Sequence, residues 1–462
     1  MTTLSTKGDL TYSEKFAKFV GDCRFESLSA SEVTNIKERI LDQIGCQLIA
    51  STLPTNLIVY DYIREYGAPG PCTVVGTDTR LSVLDAAFVN ATFGQGCEFD
   101  DFGHGGAASV PGAFALAEHR GATGRDLITA VAIGYEIFFR LFETLVPELV
   151  DRGFHPQCTI GVFASAALSA KFLGLTEEQL VQAFGIAGSH SSGMVAHDRI
   201  GGLVKRMHAG LGARGGIQAA LLAQKGLTAP RSIFESTRGG IFHTFVQAAR
   251  VEYCDKDLGS KFLFPKLVAT KFWPTVGAIH TSIDAFGKMV DQHHFTADEV
   301  KSVKVGVEAF AINHGGTVVV PTDEVSAQFS VGFSLALRLI HGHNDLTFYL
   351  DPKMWADPAI LEFSRKVQAY VDPAAVGEYR YSGRVTVELK SGATLEGYQP
   401  FRKGAPGNQA TPEEFQQRYR SLAGHVFDNS RMDAIAGMVD RLDSMEDATP
   451  LIALLRNQSI KD

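Results

Sequence analysis

The chain has 462 residues, 45% hydrophobic and 20% charged, which reads as a soluble globular protein with ample apolar surface to bury. It is too long for one ordinary core, so two domains are expected. A net charge of −8 leaves no broad basic face for nucleic acid, although a local Lys/Arg pocket for small anions is invisible in a net charge. The start, MTTLSTKGDLTYSEKF, lacks the basic end and apolar core of a signal peptide, and no apolar run approaches the ~20 residues of a membrane span. The six cysteines are scattered without a CxxC, so buried reduced thiols in a cytoplasmic protein are expected, without an iron–sulfur cluster or a thiolate metal site.

In chain order, the first half carries a helical apolar period. Ser29–Ser51 opens on the capping signal SASE and places Val33, Ile36, Ile40, Ile44 and Leu48 on one face. Helices follow at Leu57–Tyr66, Ser82–Phe93, Gly112–Glu118, Gly124–Leu145, Gly161–Leu175, Glu177–Gly188 and Gly210–Lys225, with CTVVG at 72–76 a short strand or an extended link. The Gly124–Leu145 stretch is apolar nearly all round and belongs at the centre of a bundle. The texture changes over Cys254–Pro274, read as a domain crossing. Beyond it come helix His280–Met289, strand Ser302–Phe310, helices Ala327–His341 and Ala359–Tyr370, and strands Val385–Leu389 and Thr394–Tyr398 joined as a hairpin by KSGA. Helices return at Thr411–Ala423, Arg431–Arg441 and Leu451–Leu455. The expected fold is mainly α with a smaller α+β domain: 1–267 plus 401–462 all-helical, and 268–400 a lid.

Chemistry concentrates first at CEFDDFGHGG. Glu98, Asp100, Asp101 and His104 fall within seven residues between two apolar runs. Crowded carboxylates raise a pKa or recruit a cation, which makes a general acid or base available near neutral pH. The plainer alternative is an exposed loop with Asp101 as a cap. A second candidate is His155, fixed by Pro156 just before a helix start, where an anion is favoured. A third is GGLVKRMHAG, a glycine-flanked turn whose Lys205, Arg206 and His208 precede a helix and suit a carboxylate or phosphate. Gly210, Gly212 and Gly215 match GxGxxG by letter only, since no strand precedes them. Lys271, Pro274 and His280 lie at the domain crossing, where clefts form. His341 and His343 in HGHN are a weak metal pair with no carboxylate at suitable spacing. His190 and His197, in GSHSSGMVAHD, are expected to be packing or supporting groups.

Taken in order, FDD, His104, VPGAFALAEHRGATGRDLITAVAIGYE, FHP with ASAALSAKFLGL, KRMHAG, and Lys271–Pro274–His280 resemble the MmgE/PrpD family along nearly the whole chain. That family includes 2-methylcitrate dehydratase, cis-aconitate decarboxylase and iminodisuccinate epimerase. The resemblance implies a large helical domain, an α/β lid, a homodimer, and a metal-free, cofactor-free active site between the domains. It implies catalytic roles for His104, His155 and Lys205, and substrate binding by Glu98, Asp100, Asp101, His208 and Lys271. Glu98 stands where the family has Asp, Gly105 where it usually has Pro, and Val276 where the decarboxylase has a late catalytic His. The 101–104 loop is also shorter than in those members. The expected activity is a lyase moving a proton beside a carboxylate of a small polycarboxylate, foremost dehydration of a citrate-like hydroxy acid. Epimerisation or decarboxylation on the same scaffold, and a non-catalytic anion-binding homologue, are the alternatives.

Overall fold

A computed structural model describes residues 10–376 and 381–457. Helices dominate, and many begin where the sequence supplies a reciprocal cap. Thr11, Ser29, Thr123, Thr176 and Thr411 each accept from the backbone N–H three residues on, while Glu14, Glu32, Asp126, Gln179 and Glu414 reach back to the cap. Two otherwise open donors are satisfied at each start.

A large hydrophobic cluster runs from Phe16 to Val268 and takes in Phe415 to Leu455; a second gathers residues from Val276 to Val387. The chain is thus mainly α with a smaller α+β part. The first part is not wholly helical, because β1 (Pro69–Thr73) pairs antiparallel with β2 (Arg80–Leu81). No helix among the described residues is long and apolar enough to cross a membrane.

Two helices start earlier than their periodicity predicts. Gly105–Arg120 takes in the small residues after His104, and Val204–Gln224 takes in Lys205, Arg206 and His208, which therefore lie in its first turns and not in a turn ahead of it. The latter packs against helices Gly161–Leu173 and Val83–Gly94. Its glycines allow that approach: a Cβ on Gly210 would meet the Phe88 carbonyl oxygen at 2.5 Å, and one on Gly212 the Gln157 carbonyl oxygen at 2.6 Å. Helix packing accounts for the GxGxxG letters.

In the smaller part, β3 (Val300–Val307), β4 (Val367–Val371), β5 (Gly383–Leu389) and β6 (Thr394–Gln399) form a sheet of order β4-β3-β5-β6. The β5–β6 hairpin falls where its alternation places it, and helix His280–His293 packs on it. The helix expected over Ala359–Tyr370 stops at Ser364, and β4 follows, parallel to β3. Val367, Tyr370 and Val371 are good strand formers, and pairing with β3 decides their state. The helix expected over Ala327–His341 is split into Glu324–Gln328 and Val331–Ile340, because Ser330 caps a new start by accepting from the Phe333 N–H at 3.1 Å.

Candidate active site

The acidic stretch is no solvated loop: Glu98, Asp100 and Asp101 are 1%, 0% and 2% exposed. It links helix Val83–Gly94 to helix Gly105–Arg120, and it turns through left-handed backbone at Glu98 (φ 54°) and His104 (φ 66°). Such conformations are costly for non-glycine residues and tend to persist where surrounding structure enforces them.

The three acids are bound in different ways. Asp101 accepts from the Gly106 N–H at 3.1 Å and from the Tyr135 hydroxyl at 2.6 Å, fixing the start of the following helix. Burial, with the neighbouring Asp100 charge, pushes it up to about 7 against those bonds. Asp100 Oδ2 lies 2.8 Å from His104 Nδ1 and orients that ring. Glu98 pairs at close contact with the Lys205 ammonium, lies 2.7 Å from Lys271 Nζ, and has Arg206 at 3.7 Å and His104 Nε2 at 3.9 Å. Burial opposes its charge, but the Lys205 and Lys271 ammoniums, with His104 and Arg206, outweigh that and hold the carboxylate well below its usual range.

These groups meet at a cavity of about 80 Å³ whose lining comes from both hydrophobic clusters. Glu98, His104, His155, Lys205 and Lys271 all line it. Phe142, Val146, Val150, Val276 and Phe329 supply apolar wall. Asp100, Asp101 and His208 stand behind: Asp100 holds His104, and His208 Nδ1 lies 2.9 Å from His155 Nδ1. Burial, then the charges of His197, Lys205, His208 and His104, depress His155 well below the ordinary imidazole range, so at neutral pH it is an uncharged base. Burial likewise brings His208 down to about 4 and lowers the Lys205 ammonium, with Glu98 pulling Lys205 the other way. A neutral imidazole facing two ammoniums in a low-dielectric cavity is suited to removing a proton beside a carboxylate that those ammoniums hold.

His197, expected as a packing or supporting group, lines the cavity itself, its ring 5.0 Å from His155 and perpendicular to it. His190 is half-buried beside Gly215. His280 is buried behind the site, its Nε2 3.3 Å from the Thr275 carbonyl oxygen. His341 and His343 lie 4.9 Å and 5.0 Å from the Phe348 ring and take no part. Sequence reasoning missed His314, which also lines the cavity. Its only signal was the NHGG turn after a strand. It also missed Gln328, whose Nε2 donates to the Cys97 carbonyl oxygen at 2.8 Å while its Oε1 accepts from Arg206, tying the acidic stretch to the smaller part.

The MmgE/PrpD N-terminal domain matches residues 14–253 and the MmgE/PrpD C-terminal domain residues 273–444. A cis-aconitate decarboxylase of Aspergillus terreus (strain NIH 2624 / FGSC A1156) is 27% identical across 93% of this chain and 93% of its own. The cis-aconitate decarboxylase of Homo sapiens is 26% identical across 97% of this chain and 95% of its own. A cis-aconitate decarboxylase-like protein of Aspergillus oryzae (strain ATCC 42149 / RIB 40) is 25% identical across 99% and 100%. Both halves of the family pattern are present, in order, on either side of one cavity, and the chain belongs to the MmgE/PrpD family.

Proposed function

We propose that the chain is a lyase acting on a small tricarboxylate, and that its reaction is decarboxylation of cis-aconitate or a close analogue. The observation that carries this reading is the pairing of two buried ammoniums, Lys205 and Lys271, with the single carboxylate of Glu98 at a cavity lined by His104 and His155. One carboxylate for two ammoniums leaves positive charge for a substrate carboxylate. Loss of CO2 leaves an electron pair on the carbon chain, and one proton must be taken up for each CO2 released. The ammoniums stabilise the charge as it develops, and a protonated side chain at the cavity supplies that proton. The apolar wall of Phe142, Val146, Val150 and Val276 desolvates the departing carboxylate. Relatives named cis-aconitate decarboxylases across most of the chain support the choice of reaction.

Dehydration of a citrate-like hydroxy acid is the second reading, and Val276 favours it. It lines the cavity at the place where the family resemblance puts a histidine in the decarboxylase. Incubation in D2O with cis-aconitate, 2-methylcitrate and an iminodicarboxylate separates the outcomes. The proposal expects CO2 and one deuterium in the product from cis-aconitate. Alkene formation from 2-methylcitrate without CO2 release selects dehydration, exchange without elimination selects epimerisation, and no exchange on any acid leaves an anion-binding protein.

A further inference from the structure

His314 is a cavity-lining imidazole that the scheme above does not use. It is 8% exposed, and its Nε2 lies 3.4 Å from Oδ2 of Asp198, itself 5% exposed. His314 Nδ1 is 3.2 Å from the Phe310 carbonyl oxygen. A carbonyl oxygen only accepts, so that nitrogen carries a proton. Nε2 would then turn a lone pair toward a buried carboxylate, an arrangement that stands only if a further proton lies on Nε2 or on Asp198. Burial disfavours charge on both groups, raising Asp198 to about 6 and bringing His314 down to about 4, so the proton between them rests mainly on Asp198 and is given up as pH rises past about 6. The other charged groups acting on the pair are Arg199, Lys205 and Glu98.

The backbone is shaped to hold the ring there. His314 leaves helical geometry (φ −106°, ψ 46°) within the 312–316 turn, and Gly315 follows at φ 140°, where a Cβ would meet Ile279 Cγ2 at 2.5 Å. The imidazole stacks on Phe310 with centroids 4.2 Å apart and planes 12° from parallel. Asp198 lies in the short helix His197–Ile200, and Arg199 Nη2 donates to Asn313 Oδ1 at 2.9 Å, tying the two segments together.

We propose that His314 delivers the one proton this decarboxylation takes up, with Asp198 as the residue that positions it and shares that proton. The inference rests on the lyase reading. As the C–CO2 bond breaks, its electron pair passes into the carbon chain. The proton shared by Asp198 and Nε2 goes to the carbon that receives that pair, leaving Asp198 as carboxylate and His314 neutral. A proton from water resets the pair.

The test is steady-state kinetics on cis-aconitate with His314→Gln, His314→Ala and Asp198→Asn, alongside 15N NMR of the imidazoles in substrate-free folded protein. The expected result is a kcat about 10²-fold lower for His314→Gln, with KM changed less than about threefold, and partial rescue of His314→Ala by added imidazole. Asp198→Asn is expected to move the alkaline limb of the kcat profile, since activity is lost as the pair deprotonates. It should also shift the His314 Nε2 resonance. A His314→Gln enzyme within about twofold of wild-type kcat overturns the proposal, as does a His314 Nε2 resonance unmoved by Asp198→Asn. If the wild type leaves cis-aconitate untouched, the decarboxylase reading fails on its own, and the nitrogen resonances still decide whether the pair holds a proton.

Discussion

Glu98 is shared by Lys205 and Lys271, so the two partners of this buried network are not equivalent. Removing the carboxylate strands two buried ammoniums; removing Lys205 leaves Glu98 with Lys271. Breaking a buried ion pair costs about 3–5 kcal/mol, so Glu98→Gln is expected to lower unfolding free energy by about that amount and Lys205→Ala by clearly less, read by chemical denaturation. The pH sign follows from the depressed carboxylate: its stabilisation is present above the ordinary Glu range and is lost as pH falls through the lowered folded value. Glu98→Gln should flatten that acid limb.

His155 is held uncharged, so its own protonation should lower kcat/KM only as pH drops through the depressed value, below the ordinary imidazole range. His155→Ala is expected to lower kcat on the order of 10²–10⁴-fold with the fold intact. Lys205→Ala should raise KM and lower kcat together, because its ammonium interaction strengthens as charge develops. Lys205→Arg should rescue little, since a planar fork does not replace an ammonium point charge. His190→Ala, half-buried away from the cavity, is the control expected to keep near wild-type kinetics. Loss of turnover in His190→Ala with His155→Ala active would move the centre to another part of the chain.

Within elements, the helix Gly124–Leu145 carries a buried ion pair inside what reads in sequence as an apolar run. Arg140 Nε donates to Glu136 Oε1 at 2.6 Å, and Arg140 Nη1 donates to the carbonyl oxygens of Tyr253, Cys254 and Lys256. Glu136 Oε2 accepts from the Leu263 N–H at 2.7 Å and the Phe264 N–H at 3.2 Å. The pair therefore anchors the irregular 253–264 stretch, which has little regular structure to satisfy its backbone groups. Arg140→Ala is expected to cost about 3–5 kcal/mol by stranding Glu136 and those carbonyls, and to raise amide exchange over 253–264 beyond that of the helix itself. Uniform exchange across the whole chain would assign Arg140 a global role and not this local one.

The same scale shows what could be read beforehand. Capping boxes and the 3.6-residue period were legible because they are local, so Gly124–Leu145 and Glu177–Gly188 fall where expected. Strand β4 was not legible, since only its parallel partner β3 distinguishes it from the tail of a helix. The early start of Val204–Gln224 was hidden because its glycines are poor helix formers alone and become useful only against the backbones at Phe88 and Gln157. Glu98, His104, His155, Lys205 and Lys271 were found through residue type and family resemblance. His197 and His314 reach the cavity through tertiary placement, which no spacing along the chain encodes.

For the whole molecule, the question is how an anionic substrate reaches a buried cavity in a chain of net charge −8. Phe102, Phe142 and Tyr381 line the inner cavity and also a larger one of about 830 Å³, which Arg250, Lys266, Arg402 and Glu143 border as well. Three cations against one acid make this mouth locally positive. The Arg402 guanidinium sits over the Phe102 ring at 3.4 Å and over Tyr381 at 5.0 Å, placing one of those charges at the shared aromatic wall. The inner cavity, at about 80 Å³, is well below the ~300–1,000 Å³ of most ligand sites, so the wall must yield for substrate to enter. At physiological salt, charges act over about 8 Å, a reach at which the mouth outweighs the distant acidic surface. The kcat/KM for a tricarboxylate is therefore expected to fall as ionic strength rises from about 0.01 M to about 1 M, although the net charges repel. Lys266→Glu, at an exposed position, should lower kcat/KM several-fold at low salt, leave kcat unchanged, and converge with wild type at high salt. If kcat/KM instead rises with salt and Lys266→Glu matches wild type throughout, repulsion by the whole surface governs the encounter and the substrate enters by another route.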